Sequence, residues 1–166
     1  PPRSTLFPYT TLFRSAQAGH TVMTGGYCGT MEAISRGASE AGGTTLGVTC
    51  AEIEQYRPGK ANPWVQQEIR TQTLPQRLEV LTRQPDAMIA LPGGIGTLCE
   101  ISLALNLMVI SPAPPKPFIL IGTSWEIVFH QFFTVNHEMI NDLDQARVQF
   151  ARDPLEAVTY LQKSLS

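Results

Sequence analysis

The chain reads as a doubly wound α/β fold, a mostly parallel sheet with helices on both of its faces. Two observations predict it. Apolar runs of strand length alternate with longer segments of helical period, and glycine-rich turns carry the chain from strand into helix at residues 24–30 and 91–97. Such alternation sets parallel strands side by side, because each crossover between them needs a connection long enough to hold a helix.

In chain order, residues 20–24 form a strand, and residues 30–41 a helix that Gly42 and Gly43 end as left-handed cap residues. Residues 44–49 are the next strand. Residues 51–63 contain Tyr56-Arg57-Pro58-Gly59-Lys60-Ala61-Asn62-Pro63, whose prolines and glycine mark a surface loop suited to act as a lid. Helical segments are expected over 64–73 and 75–83, the second opened by Pro75. A strand over 86–91 leads into a helix starting near Gly96 and running to 110, which the proline-rich connector 111–117 stops. A strand over 118–121, an aromatic-rich amphipathic helix over 124–140, a short strand over 147–150 and a helix over 154–163 with Asp153 as its N-cap complete the pattern.

With 166 residues, 43% of them apolar, the chain supports one well-buried core, so a single domain over 16–166 is expected. The net charge of −2 offers no basic face to nucleic acid or to an anionic membrane. Any phosphate must therefore be held locally. Cys28, Cys50 and Cys99 form no close pair, which argues against a disulfide framework or a zinc ribbon and for a reduced, cytoplasmic setting. No apolar run reaches the length of about 18 residues that a membrane span needs. His20, His130 and His137 lack any metal-ligand spacing, and Met23, Met31, Met88 and Met108 fit core positions. Lys60 and Lys116 lie in loops without a pyridoxal-type setting, so neither metal nor cofactor is expected.

The most informative stretch is Leu91-Pro92-Gly93-Gly94-Ile95-Gly96-Thr97-Leu98-Cys99-Glu100. A helix starting at this turn aims its free N–H groups and positive dipole end at whatever lies over it, and a phosphate suits that place. A plainer reading makes Thr97 and Glu100 a capping box. Gly25, Gly26 and Gly29 form a similar turn ahead of a helix, where Tyr27 either stacks on a base or packs at the rim. Two such turns on neighbouring strands would flank a crevice at the C-terminal edge of the sheet, where open α/β sheets bind ligands.

Pro92-Gly93-Gly94-x-Gly96-Thr97-x-x-Glu100, with Arg77 on the preceding helix, resembles the Lonely guy phosphoribohydrolases, Rossmann-like proteins often mislabelled lysine decarboxylases. Thr24-Gly25-Gly26-Tyr27-Cys28-Gly29-Thr30-Met31-Glu32-Ala33 is similar to that family's first glycine-rich turn. The resemblance runs from about Ala16 to the C-terminus. Leu78 after Arg77 and Cys99 before Glu100 depart from the family pattern, on the side of base specificity.

The resemblance implies hydrolysis of the N-glycosidic bond of a nucleoside 5′-monophosphate to free base and ribose 5-phosphate, with the phosphate over Gly93, Gly94, Gly96 and Thr97. Glu100 would be the catalytic carboxylate, in the manner of glycosidase carboxylates, and Arg77 would orient Glu100 and substrate. Gly25, Gly26, Tyr27 and Gly29 would contact the nucleotide, and the protein would be a homodimer. The alternative is a non-catalytic nucleotide or molybdenum-cofactor carrier of the same superfamily. A protein-interaction scaffold built on the aromatic helix is a third reading, though that face is more simply core.

Residues 1–15 stand apart. They nearly repeat themselves, lack a secretory signal's layout and resemble translated sequencing-adaptor read-through, with a genuine short strand over 10–13 as the other reading. On the adaptor reading the fold's first strand and most of its first helix are missing, with only the helix tail near 16–19 left.

Overall fold

The computed structural model describes residues 19–165, so the expectations for residues 1–18 lie outside the described residues. Residue contacts divide the chain into two compact units, Pro1–Leu81 and Thr82–Ser166. Each contains a three-stranded parallel sheet, and the architecture is Rossmann-like α/β.

The first unit runs β1 (Val22–Thr24), α1 (Thr30–Glu40), β2 (Thr45–Cys50), α2 (Ala51–Tyr56), β3 (Gln67–Thr71) and most of α3 (Leu74–Arg83). Its strands lie in the order β1-β2-β3, with Met23 opposite Leu46 and Val48 opposite Ile69. The central strand is the most buried, Thr45 and residues 47–50 being shielded from solvent. Helix α1 ends at Ala41 in a Schellman motif: the Gly43 N–H donates to the Ala38 carbonyl at 3.0 Å and the Gly42 N–H to Ser39 at 2.9 Å. Gly42 alone carries the positive φ, 78°; Gly43, expected as a second left-handed residue, does not.

Two expectations in this unit are corrected. Residues 67–71 are a strand and not part of a helix over 64–73. Their alternation is weak because, among the described residues, β3 pairs with β2 alone, and charged Glu68 and Arg70 sit exposed along it. The loop expected over 51–63 begins with helix α2, whose first turn carries Glu52 and Glu54 where the helix dipole favours acids.

The second unit runs β4 (Met88–Ala90), α4 (Ile95–Ile110), β5 (Phe118–Ile121), α5 (Thr123–Val135), α6 (Asp142–Gln145), β6 (Gln149–Ala151) and α7 (Pro154–Leu165). Its strand order is β4-β5-β6. All four residues of β5 are buried, and their alternation serves two faces. Phe118 and Leu120 join Ile101, Ala104 and Met108 of α4 and Trp125, Phe129 and Phe133 of α5. Ile119 and Ile121 join Ala151 with Ala157 and Leu161 of α7. Helices thus cover both faces, and each large β5 side chain so buried contributes roughly 1.5–3 kcal/mol.

Helix α7 has the expected N-cap, with the Glu156 N–H donating to Asp153 Oδ1 at 2.9 Å. The aromatic helix stops at Val135 rather than 140, because Asn136 caps it by donating from Nδ2 to the Phe132 carbonyl at 2.8 Å. The capping box expected from Thr97 and Glu100 is not formed as such: α4 starts at Ile95 with Gly94 at the N-cap, which places Thr97 inside the first turn. Among the described residues no helix is long and apolar enough to cross a membrane, and no group of three or more His, Cys, Asp or Glu is placed to hold a metal.

Candidate functional site

The first glycine turn follows β1 and is held from several directions within its own unit. The Gly26 N–H donates to Thr24 Oγ1 at 3.2 Å, and Thr24 Oγ1 meets Ser35 Oγ of α1 at the same distance. Gly26 has φ of 80°, which an L side chain rarely adopts. Gly25 leaves room for the Arg77 guanidinium, since a Cβ there would collide with Arg77 Nη2 and Met31 Sδ.

Arg77 is buried, 7% exposed, where an arginine on an exposed helix face would be the ordinary outcome. Its Nε donates to the Val48 carbonyl at 2.9 Å, its Nη2 to the Gly25 carbonyl at 3.2 Å, and its Cζ lies 5.7 Å from the centroid of the Tyr27 ring. The guanidinium therefore ties β2 at Val48 to the glycine turn. The Tyr27 hydroxyl accepts from the Cys50 N–H at 2.7 Å and has its own proton within reach of the Cys50 carbonyl at 3.1 Å and Glu54 Oε1 at 3.3 Å. Burial pushes the Tyr27 phenol above its ordinary pKa, with the Glu54 charge adding to the shift against the Cys50 backbone bond. These bonds accord with a rim tyrosine packed into the protein.

Sequence reasoning missed Asn62. It is 7% exposed, and its Nδ2 donates to the carbonyls of Gly26 at 3.1 Å and Tyr27 at 3.0 Å. Its backbone N–H donates to Gly26 as well, at 2.8 Å. The only signal in the sequence is its place in a proline-bounded loop, a setting that suggests mobility. Residues 62–66 are instead pinned, Thr45 Oγ1 donating to the Trp64 carbonyl at 2.5 Å, so this end of the expected lid is anchored.

The second glycine turn belongs to the other unit. Residues 92–96 are exposed, Gly94 is the N-cap of the 16-residue helix α4, and no side chain caps that end. The first N–H groups of the helix have no acceptor within it, so they and the dipole face outward at an exposed turn. No acidic residue lies in the first turn to oppose an anion. A Cβ on Gly93 would collide with Thr97 Oγ1, which places the threonine hydroxyl against the turn. Glu100 follows Gly96 and Thr97 by four and three residues, so it lies on their face of the helix, one turn deeper. Trp125, also missed, donates from Nε1 to the Leu91 carbonyl at 3.0 Å and fixes the chain entering the turn.

Similarity to known proteins reaches across both units. The model of a family described as "Possible lysine decarboxylase" matches residues 31–161. The chain belongs to this family. The resemblance to the Lonely guy proteins is borne out with it. Despite the family's description, Lys116 makes no case for a Schiff-base lysine: its Nζ donates to the carbonyls of Thr82 at 2.7 Å, Pro85 at 2.8 Å and Arg83 at 3.4 Å. Burial lowers the pKa of that ammonium, the Asp86 charge opposing the shift.

An uncharacterized protein of Archaeoglobus fulgidus is 31% identical over 91 residues, a match covering 55% of this chain and 57% of the relative. The match thus spans little more than half the length of that relative. Among solved structures, the molybdenum cofactor binding protein of Rippkaea orientalis superposes with a TM-score of 0.72 at 26% identity, over 95% of this chain and 85% of that one. The molybdenum cofactor carrier protein of Chlamydomonas reinhardtii gives 0.72 at 28%, over 96% and 86%.

Proposed function

We propose that this chain binds a nucleoside 5′-monophosphate through the turn at residues 92–97 and hydrolyses its N-glycosidic bond, giving free base and ribose 5-phosphate. The carrying observation is the exposed glycine turn at the uncapped N-terminus of α4, a place where backbone N–H groups and the helix dipole favour a phosphate. Gly93, Gly94, Gly96 and Thr97 hold that phosphate. Glu100, on the same helix face and one turn deeper, supplies the carboxylate that stabilises positive charge developing on the ribose or activates the attacking water. The first glycine turn, Gly25, Gly26, Tyr27 and Gly29, is assigned to the nucleotide, with Arg77 shaping it. Family membership supports the hydrolase reading.

A second reading, carriage of a phosphorylated cofactor without chemistry, is favoured by two observations. The solved relatives from Rippkaea orientalis and Chlamydomonas reinhardtii are described as binding or carrying molybdenum cofactor. In addition, the Arg77 bonds to Gly25 and Val48 serve the shape of a binding turn.

Incubation with the common nucleoside 5′-monophosphates, followed by chromatography for free base, separates the two. Base release that Glu100→Gln lowers about 10² to 10⁴-fold, with binding kept, is the hydrolase result. Saturable binding without base release is the carrier result, and neither binding nor release removes both.

A further inference from the structure

We propose that two copies of this chain associate through the outward face of α4, antiparallel about a two-fold axis at Ser102. A helix on a protein surface ordinarily turns charged residues to water, and one that is apolar all round is covered. Helix α4 has a single charged residue in sixteen, Glu100, and that one is half-buried. Its exposed line is Ile95, Cys99, Ser102, Asn106 and Val109, with Ile110 beside it. No residue of this line is charged, and its spacing of four, three, four and three residues keeps it along one side of the helix.

Helix α5 packs on the same side of the second unit's sheet, and Ile127, Val128, Phe132 and Val135 stay exposed on it. The seven large apolar side chains that the two helices expose leave on the order of 700 Å² in water, above the about 300–600 Å² patch of a typical monomer and near the about 800 Å² that each partner gives a stable pair. The order of residues along α4 names the occupant. Turned end for end about Ser102, the line falls on itself: Ile95 meets Val109 and Ile110 of the second copy, Cys99 meets Asn106, and Ser102 meets its own counterpart. Such self-complementarity is what a two-fold interface requires. The short side chains at the middle let the helix axes approach to about 8 Å, and the ends supply the apolar contact. Neither helix carries a lysine or arginine for an anionic membrane. The resemblance read from the sequence implies a pair of chains; the pattern on α4 assigns its face and its axis. Ile95 lies within the phosphate turn, so this pairing brings the second copy to the edge of that turn, yet it holds whether or not the turn binds a nucleotide.

Sedimentation equilibrium and cross-linking of the full chain test this. The unaltered protein should show twice the mass of one chain at micromolar concentration. Val109→Lys with Ile110→Lys sets charges into the apolar ends and should raise the dissociation constant at least about 100-fold, with the circular dichroism spectrum kept. For the axis, Ser102→Cys is placed in a chain carrying Cys28→Ser and Cys99→Ser, which leaves only the buried Cys50. Mild oxidation with diamide should join it into a covalent pair, because residues on a two-fold axis between close helices come within the roughly 7 Å between Cα atoms that a disulfide spans. Ser164→Cys in the same background, exposed on α7, is the control that stays single.

A single-chain mass at every concentration overturns the proposal and leaves the phosphate turn standing. A pair that the lysine variant leaves intact overturns it too, by putting the contact on another face. A pair without the Ser102→Cys cross-link overturns the antiparallel axis and the proposal with it. The cross-link reads association in a chain whose apolar residues are unaltered, so it decides the matter even where the lysine variant fails to fold.

Discussion

Replacing Arg77 by Met tests whether the buried guanidinium holds the first glycine turn. The change keeps an unbranched apolar stem and removes the donors that reach Val48 at 2.9 Å and Gly25 at 3.2 Å. Val48 is 0% exposed and Gly25 is buried, so water cannot readily replace the lost donors. An unsatisfied buried carbonyl costs about 1–3 kcal/mol. The two together, with the contact to the Tyr27 ring, put the loss at about 2–5 kcal/mol, a large share of the roughly 5–15 kcal/mol that holds a domain together. Urea unfolding read by circular dichroism should show a lower midpoint, equivalent to about 5–15 °C in thermal midpoint for a chain of this size. Arg77→Lys, keeping the charge and fewer directed donors, should fall between. A change below about 0.5 kcal/mol for Arg77→Met, the range of ordinary surface substitutions, would refute the bracing role.

Three further outcomes follow from the same geometry. Lys116→Met removes three charge-assisted bonds to carbonyls at and beyond the end of α3 and should lower stability by about 1–3 kcal/mol, read by urea unfolding. Hydrogen bonds from the Arg152 side chain and backbone, then from Tyr160, hold the Glu156 carboxyl at about 2 against an ordinary 4.5. A depressed carboxylate stabilises the fold above the unfolded value and loses that contribution as pH falls from about 4.5 toward 2; Glu156→Gln should flatten this part of the stability profile. Glu100→Gln should lower base release about 10² to 10⁴-fold with nucleotide binding kept, read by chromatography of free base, and unchanged turnover would remove Glu100 from the mechanism.

What the sequence made legible follows from how each residue's environment is set. Strand β5 was readable to the residue because Phe118–Ile121 is buried on both faces, which demands a continuous apolar run. Helix α7 announced itself through Asp153. Strand β3 was hidden because a strand with exposed Glu68 and Arg70 has little apolar alternation to show. The glycine turns and Arg77 were visible as a motif, but the depth of Arg77 was not, since its partners are backbone carbonyls, Val48 and Gly25, that every sequence possesses. Asn62 escaped for the same reason: its partners are the main-chain oxygens of Gly26 and Tyr27, 36 and 35 residues away.

The most direct test of the central claim is a crystal structure of the chain grown with adenosine 5′-monophosphate. The phosphate oxygens should lie about 2.7–3.2 Å from backbone nitrogens within residues 94–97, at the start of α4. A nucleotide bound elsewhere with that turn holding no phosphate would contradict it.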